Sequence, residues 1–206
     1  MSWHLQYLKY KHLANELISV QSEYDVISEI IKIAGEEFAE YKNSWAAQNQ
    51  FDLSINTQEQ YNQIESAVKT RSVSSTKNKK LAKTAKKSSK VFSRIYKLIA
   101  KKIHPDKFAS FEDTPEIKEK KEMYKKAASG MSFSKWADVL EVAIELGVKP
   151  TNLAEINAQI QIEIENIKDL ISFSKTTYGW KFYDCQDDYA CKDEVVRSCV
   201  ESFYKK

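Results

Sequence analysis

The stretch Val91-Phe92-Ser93-Arg94-Ile95-Tyr96-Lys97-Leu98-Ile99-Ala100-Lys101-Lys102-Ile103-His104-Pro105-Asp106-Lys107 decides how the chain is read. Val91, Phe92, Ile95, Tyr96, Ile99 and Ile103 recur at steps of three and four, so a helix through them gathers their side chains on one apolar face. Ser88 or Ser89 is the expected N-cap, since a short hydroxyl side chain can accept from the unpaired N–H groups of the first turn. The helix is predicted to end at His104, because the residue before a proline is pushed out of the helical region. Pro105 also holds His104 and Asp106 on either side of a fixed backbone, with no flexible residue between them.

Downstream, Phe108 to Thr114 reads as a loop, and Thr114 followed by Pro115 at the first helical position opens a helix carrying Ile117, Met123, Tyr124, Ala127 and Ala128. Gly130 is expected to stop it. Ser132 or Ser134 would cap a further helix with Trp136, Val139, Leu140, Ala143, Ile144 and Leu146, ending at Gly147. Leu153, Ile156, Ile160, Ile164, Ile167, Ile171 and Ser174 then predict an amphipathic helix of about 25 residues. Tyr178-Gly179-Trp180 reads as a turn, and Asp193 to Tyr204 as a closing helix.

Upstream, residues 70–89 are rich in Lys, Ser, Thr and Asn and read as a linker or a solvated helical arm. Thr57 with Gln60 resembles a capping box that opens a helix to about Lys69, and Phe51 to Asn56 connects it to what precedes. There Tyr10, Leu13, Leu17, Val20, Tyr24, Ile27, Ile31, Ala34, Phe38, Tyr41 and Trp45 form a heptad-type stripe. The stripe predicts a helix of roughly 35 residues or more, with Gly35 as the point where it could break.

Composition agrees with an all-α chain. Among 206 residues there are only four Gly and three Pro, too few for glycine-rich phosphate loops or the many tight turns of an all-β fold. Charged residues make up 30% and mean hydropathy is −0.55, so apolar side chains must be confined to stripes. No apolar run approaches the roughly twenty residues of a membrane span. The first ten residues lack the pattern of a secretory signal, and an intracellular protein is expected. Cys185, Cys191 and Cys199 are odd in number and without a C-x-x-C pair, and are read as reduced thiols. No metalloprotease motif, nucleophile elbow, Walker loop or dinucleotide fingerprint occurs, so neither catalysis, a cofactor nor a metal site is expected.

The net charge of +3 conceals a segregation. Residues 71–107 carry +12, against −5 for 1–70, −1 for 108–150 and −3 for 151–206. A single-sign field of this size faces solvent or an anionic partner. Nucleic acid is one such partner, because neutralised phosphates give salt-dependent binding blind to sequence, although no aromatic side chain for base stacking lies between Arg71 and Lys90.

The quoted stretch resembles helix two and the following loop of J-domains, the co-chaperones that activate DnaK-type chaperones. Tyr96, Ala100 and Lys102 fall where that family commonly places Tyr, Ala and Lys, and His104, Pro105, Asp106 and Lys107 match its loop. The likeness covers about residues 88–130 and is carried by the order of parts: basic helix, loop, antiparallel helix from Pro115. It implies that His104 and Asp106 engage the junction between the nucleotide-binding domain and linker of the chaperone. It also implies that Arg94, Lys97, Lys101 and Lys102 dock electrostatically on an acidic surface. The short helix that normally precedes helix two is not found, and the long N-terminal or C-terminal helix would have to replace it. Phe133 to Gly147, with the long helix running on to Trp180, is similar to divergent J-domain-like proteins of large DNA viruses and marine phages.

The expected fold is therefore all-α, a J-domain-like antiparallel helical hairpin flanked by long amphipathic, coiled-coil-like helices. Its parts are a long-helix region (1–70), a basic linker or arm (71–89), the hairpin with an extra helix (90–148), and a C-terminal long helix with an aromatic tail (149–206). The expected function is a co-chaperone stimulating the ATPase of a DnaK-type chaperone in the cytoplasm, that of the host if the chain is viral. The alternative is a structural or assembly protein, such as a virion or phage-particle component, in which the J-like fold is a scaffold. In that case the heptad helices would hold a homo-oligomer or larger assembly.

Overall fold

The computed structural model describes residues 2–51, 53, 75–109 and 114–204. Every regular element among them is helical: α1 (Trp3–Gln48), α2 (Ser75–Ile103), a 3-10 turn (Pro105–Phe108), α3 (Pro115–Phe133), α4 (Trp136–Glu145), α5 (Leu153–Ser174), α6 (Tyr178–Asp184) and α7 (Tyr189–Tyr204). The all-α reading holds. The expected helix from Thr57 to Lys69 lies outside the described residues.

The chain divides into two compact units, each drawing on both halves of the sequence: residues 1–22 with 79–167, and residues 23–78 with 168–206. The contiguous segments expected from sequence are thus crossed by this division, because helices remote in sequence share cores.

In the first unit the apolar face of α2 between Val91 and Ile103 packs into a shared core. Val91, Phe92, Ile95, Ile99 and Ile103 are buried with Tyr10, Leu13, Ala14, Leu17 and Val20 of α1 and with Ile156, Ile160 and Ile164 of α5. Trp136 and Leu140 of α4 and Ala127 of α3 complete this core, and the Trp136 ring stacks on Phe92 at 4.7 Å. Burying each such side chain contributes roughly 1.5–3 kcal/mol. The stripe of α1 is therefore consumed within the chain up to Val20. Asn157, itself buried, donates from Nδ2 to the Gln6 carbonyl at 3.1 Å, which ties α5 to α1 at a fixed rotation.

In the second unit Phe182 of α6 packs with Val196 and Val200 of α7 beneath Phe38, Tyr41 and Trp45 of α1. Tyr41 donates its hydroxyl proton to Asp193 at 2.8 Å. Gly35 does not break α1, which runs unbroken through 46 residues. A Cβ at Gly35 would meet nothing within 4 Å, so nothing in the packing requires glycine there; the start of α6 lies in ordinary contact with this part of α1, a Cβ at Gly179 falling 3.5 Å from the Ile31 carbonyl oxygen.

Several local expectations are corrected. α2 begins at Ser75, so Ser88 and Ser89 are interior residues, not caps; the Lys- and Ala-rich run before them consists of good helix formers. Gly130 does not stop α3, which continues to Phe133 and ends on left-handed Ser134. Gly130 is instead a close-packing point, where a Cβ would lie 2.8 Å from the Lys135 carbonyl oxygen and 2.9 Å from Asp138 Cβ. Neither Ser132 nor Ser134 caps α4; the N-cap position falls on Lys135, whose side chain makes no capping hydrogen bond. Tyr178-Gly179-Trp180 opens α6, with the Thr177 hydroxyl accepting from the Trp180 N–H. α7 starts at Tyr189, where the Asp188 carboxylate accepts from the N–H groups of Ala190 and Cys191.

The reading of three reduced thiols is also corrected. Cys185 and Cys191 form a disulfide across the α6–α7 turn, which brings their Cα atoms to 5.6 Å, within the span a disulfide bridges. Cys199 is free and buried, and burial pushes its thiol pKa up despite the opposing charge of Lys42.

Candidate docking site

Each end of the His104-Pro105-Asp106-Lys107 segment is set by local chemistry. α2 stops at Ile103, one residue before the pre-proline position, as the sequence predicts. The His104 N–H still bonds to the Ala100 carbonyl at 3.0 Å, and the His104 carbonyl accepts from the Lys107 N–H at 3.0 Å. Residues 105–108 then wind into a single 3-10 turn. On the far side Thr114 caps α3, its hydroxyl accepting from the Ile117 N–H at 3.4 Å.

The side chains of this turn have distinct surroundings. His104 has 40% of its side chain exposed and Asp106 89%, so the carboxylate stands in solvent. The backbone N–H of Asp106 donates to His104 Nδ1 at 3.3 Å. The same Nδ1 lies 3.3 Å from Asp106 Oδ2. Lys107 folds back to donate to the Lys101 carbonyl, and Pro105 opens the turn.

The expected cations are only partly together. Lys90, Arg94, Lys97 and Lys101 are all exposed and follow one another at steps of four, three and four, which sets them in a line along α2 leading to the loop. Arg94 is paired within the fold, Nη1 to Glu155 Oε2 of α5 at 2.8 Å. Lys102 lies off this line and donates to the Leu146 carbonyl at 2.6 Å, near the end of α4. Lys90 belongs to the basic block of the sequence, and its place in this line follows from the α2 spacing.

Behind the loop stands α3. The ring of His104 meets that of Tyr124 edge to face, centroids 5.1 Å apart and planes at 73°. Tyr124 also contacts Tyr96 of α2 at 5.9 Å. Burial and the hydrogen bond between the two hydroxyls push the Tyr96 phenol up to about 12. One turn before Tyr124, the Lys120 ammonium lies 5.7 Å from the centre of the Phe108 ring. Tyr124 and Lys120 were not legible as site residues, since Tyr124 reads as a core position of its helix; their one-turn spacing is the only sequence signal.

Among the described residues no group of three His, Cys, Asp or Glu is assembled as a metal would require. No described helix is long and apolar enough to cross a membrane. Compared with protein-family models, curated proteins and solved structures, the chain matches none.

Proposed function

We propose that this protein is a J-domain-type co-chaperone that docks on a DnaK-type chaperone and stimulates its ATPase. The observation that carries the reading is the joint placement of an exposed Asp106 carboxylate on a proline-fixed turn and a line of cations on the helix that leads into it. A rigid acidic tip beside a basic face suits recognition of a surface with the opposite pattern, and requires no covalent step by this chain. His104, Pro105, Asp106 and Lys107 would meet the chaperone at the tip, and Lys97 and Lys101 along the helix. Arg94 and Lys102 would join them only by exchanging their present partners, Glu155 and the Leu146 carbonyl.

Such a partner puts the encounter in the cytoplasm. There the Cys185–Cys191 pair would be held as a dithiol, so activity is to be measured on both oxidised and reduced protein. The test is single-turnover ATP hydrolysis by a DnaK-type chaperone, with wild-type protein, His104→Gln and the double variant Lys97→Gln/Lys101→Gln. His104→Gln is expected to abolish stimulation without loss of helical circular dichroism. The lysine variant is expected to raise the half-saturating concentration, and raising salt should do the same to wild type. Equal stimulation by wild type and His104→Gln would end this reading, and no stimulation by folded wild type would leave the scaffold role in its place.

A further inference from the structure

The turn bearing His104 and Asp106 is held from one side by two residues of α3 a single helical turn apart. Tyr124 takes the His104 ring edge to face at 5.1 Å, and Lys120 lies 5.7 Å from the ring of Phe108, the residue that ends the turn. Tyr124 is itself fixed: its ring meets that of Tyr96 with centroids 5.9 Å apart. His104 in turn determines Asp106, because its Nδ1 accepts the Asp106 backbone N–H. A chain of contacts thus runs from α2 through Tyr96, Tyr124 and His104 to Asp106, whose carboxylate makes no contact with Tyr124 that would let the tyrosine act on it directly.

We propose that Tyr124 is a positioning residue for the loop, acting on Asp106 through the ring of His104. The inference rests on the co-chaperone reading for its consequence but not for its geometry. A histidine with 40% of its side chain exposed has several rotamers open to it, and the Tyr124 ring selects the one in which Nδ1 faces the Asp106 N–H. The cations at Lys97 and Lys101 lie on another side of α2 and owe nothing to Tyr124. Losing Tyr124 should therefore weaken stimulation at a given concentration, because a smaller share of the protein carries the ordered loop. If the ordered loop falls to a tenth of the population, the half-saturating concentration rises about tenfold.

The experiment compares wild type, Tyr124→Phe and Tyr124→Leu by proton NMR and by single-turnover ATP hydrolysis. In wild type the His104 ring protons should show nuclear Overhauser contacts to Tyr124 and a ring-current shift that the exposed His4 and His12 lack. Tyr124→Phe should keep that shift and most of the stimulation, whereas Tyr124→Leu should lose both while His4 and His12 are unmoved. Absence of the His104–Tyr124 contact in wild type overturns the proposal whether or not any variant folds. So does a Tyr124→Leu protein that keeps the His104 shift, or that loses it and still stimulates as wild type does at every concentration. If wild type shows the contact but no stimulation, the co-chaperone reading fails and the positioning of the loop stands.

Discussion

His104 shows how much one side chain can organise. It bonds through its N–H to α2, through its carbonyl to the next turn, through Nδ1 to Asp106 and through its ring to Tyr124. The same cluster has a pH signature at Tyr96, whose phenol is raised from 10.0 to about 12 by burial and by the bond to Tyr124. A group whose folded pKa is raised contributes stability that is whole below its unfolded pKa and is lost as pH rises through the folded one. The protein should therefore lose stability between about pH 10 and about pH 12, and Tyr96→Phe should flatten that slope. Phenolate absorbance checks this: the difference between wild type and Tyr96→Phe should titrate near the upper value, and a midpoint near 10 would refute it. From sequence the residues of the loop tip were legible, since a proline after a basic helix dictates where the helix ends. The ring behind them was not, because a tyrosine on an apolar helix face gives no sign of which side chain it will meet.

Among the elements, three boundaries set by proline or by a left-handed glycine matched their reading. α2 ended before Pro105, α3 began at Thr114-Pro115, and α4 closed before Gly147, which adopts a φ of +58°. Boundaries set by tertiary contact did not match. Gly130 has the composition of a stop but serves as a place where α3 and the start of α4 nearly touch. The α6–α7 pair was missed in part because its turn depends on a crosslink between residues six apart, which neither periodicity nor capping reveals. For so short a closed loop, chain entropy puts the stabilisation at about 2 kcal/mol. Reduction should therefore loosen α6 and α7 first. Hydrogen exchange with and without a reductant tests this: amides of 178–204 should exchange faster when reduced while those of 91–103 stay protected, and uniform behaviour would contradict it.

For the molecule as a whole, the two cores make separable demands. Ile160 belongs to one and Phe182 to the other. Ile160→Ala should cost about 2–5 kcal/mol and Phe182→Ala about 3–5 kcal/mol. Each loss should appear chiefly in the amides of its own unit, as exchange rates would show; identical protection patterns for the two variants would mean a single cooperative core. The all-helical character was legible because glycine and proline were scarce and the stripes long. The discontinuous partition was not, since a heptad stripe says that a face is buried but not which distant helix covers it. The buried thiol of Cys199 carries a last consequence for handling this protein. In the folded chain burial raises its pKa and limits its access to any other sulfur. Once unfolded, it regains ordinary acidity, and exchange among three cysteines opens pairings that the native fold never samples. Heating in alkaline buffer should accordingly trap molecules that cannot return, whereas mild acid should keep the transition reversible.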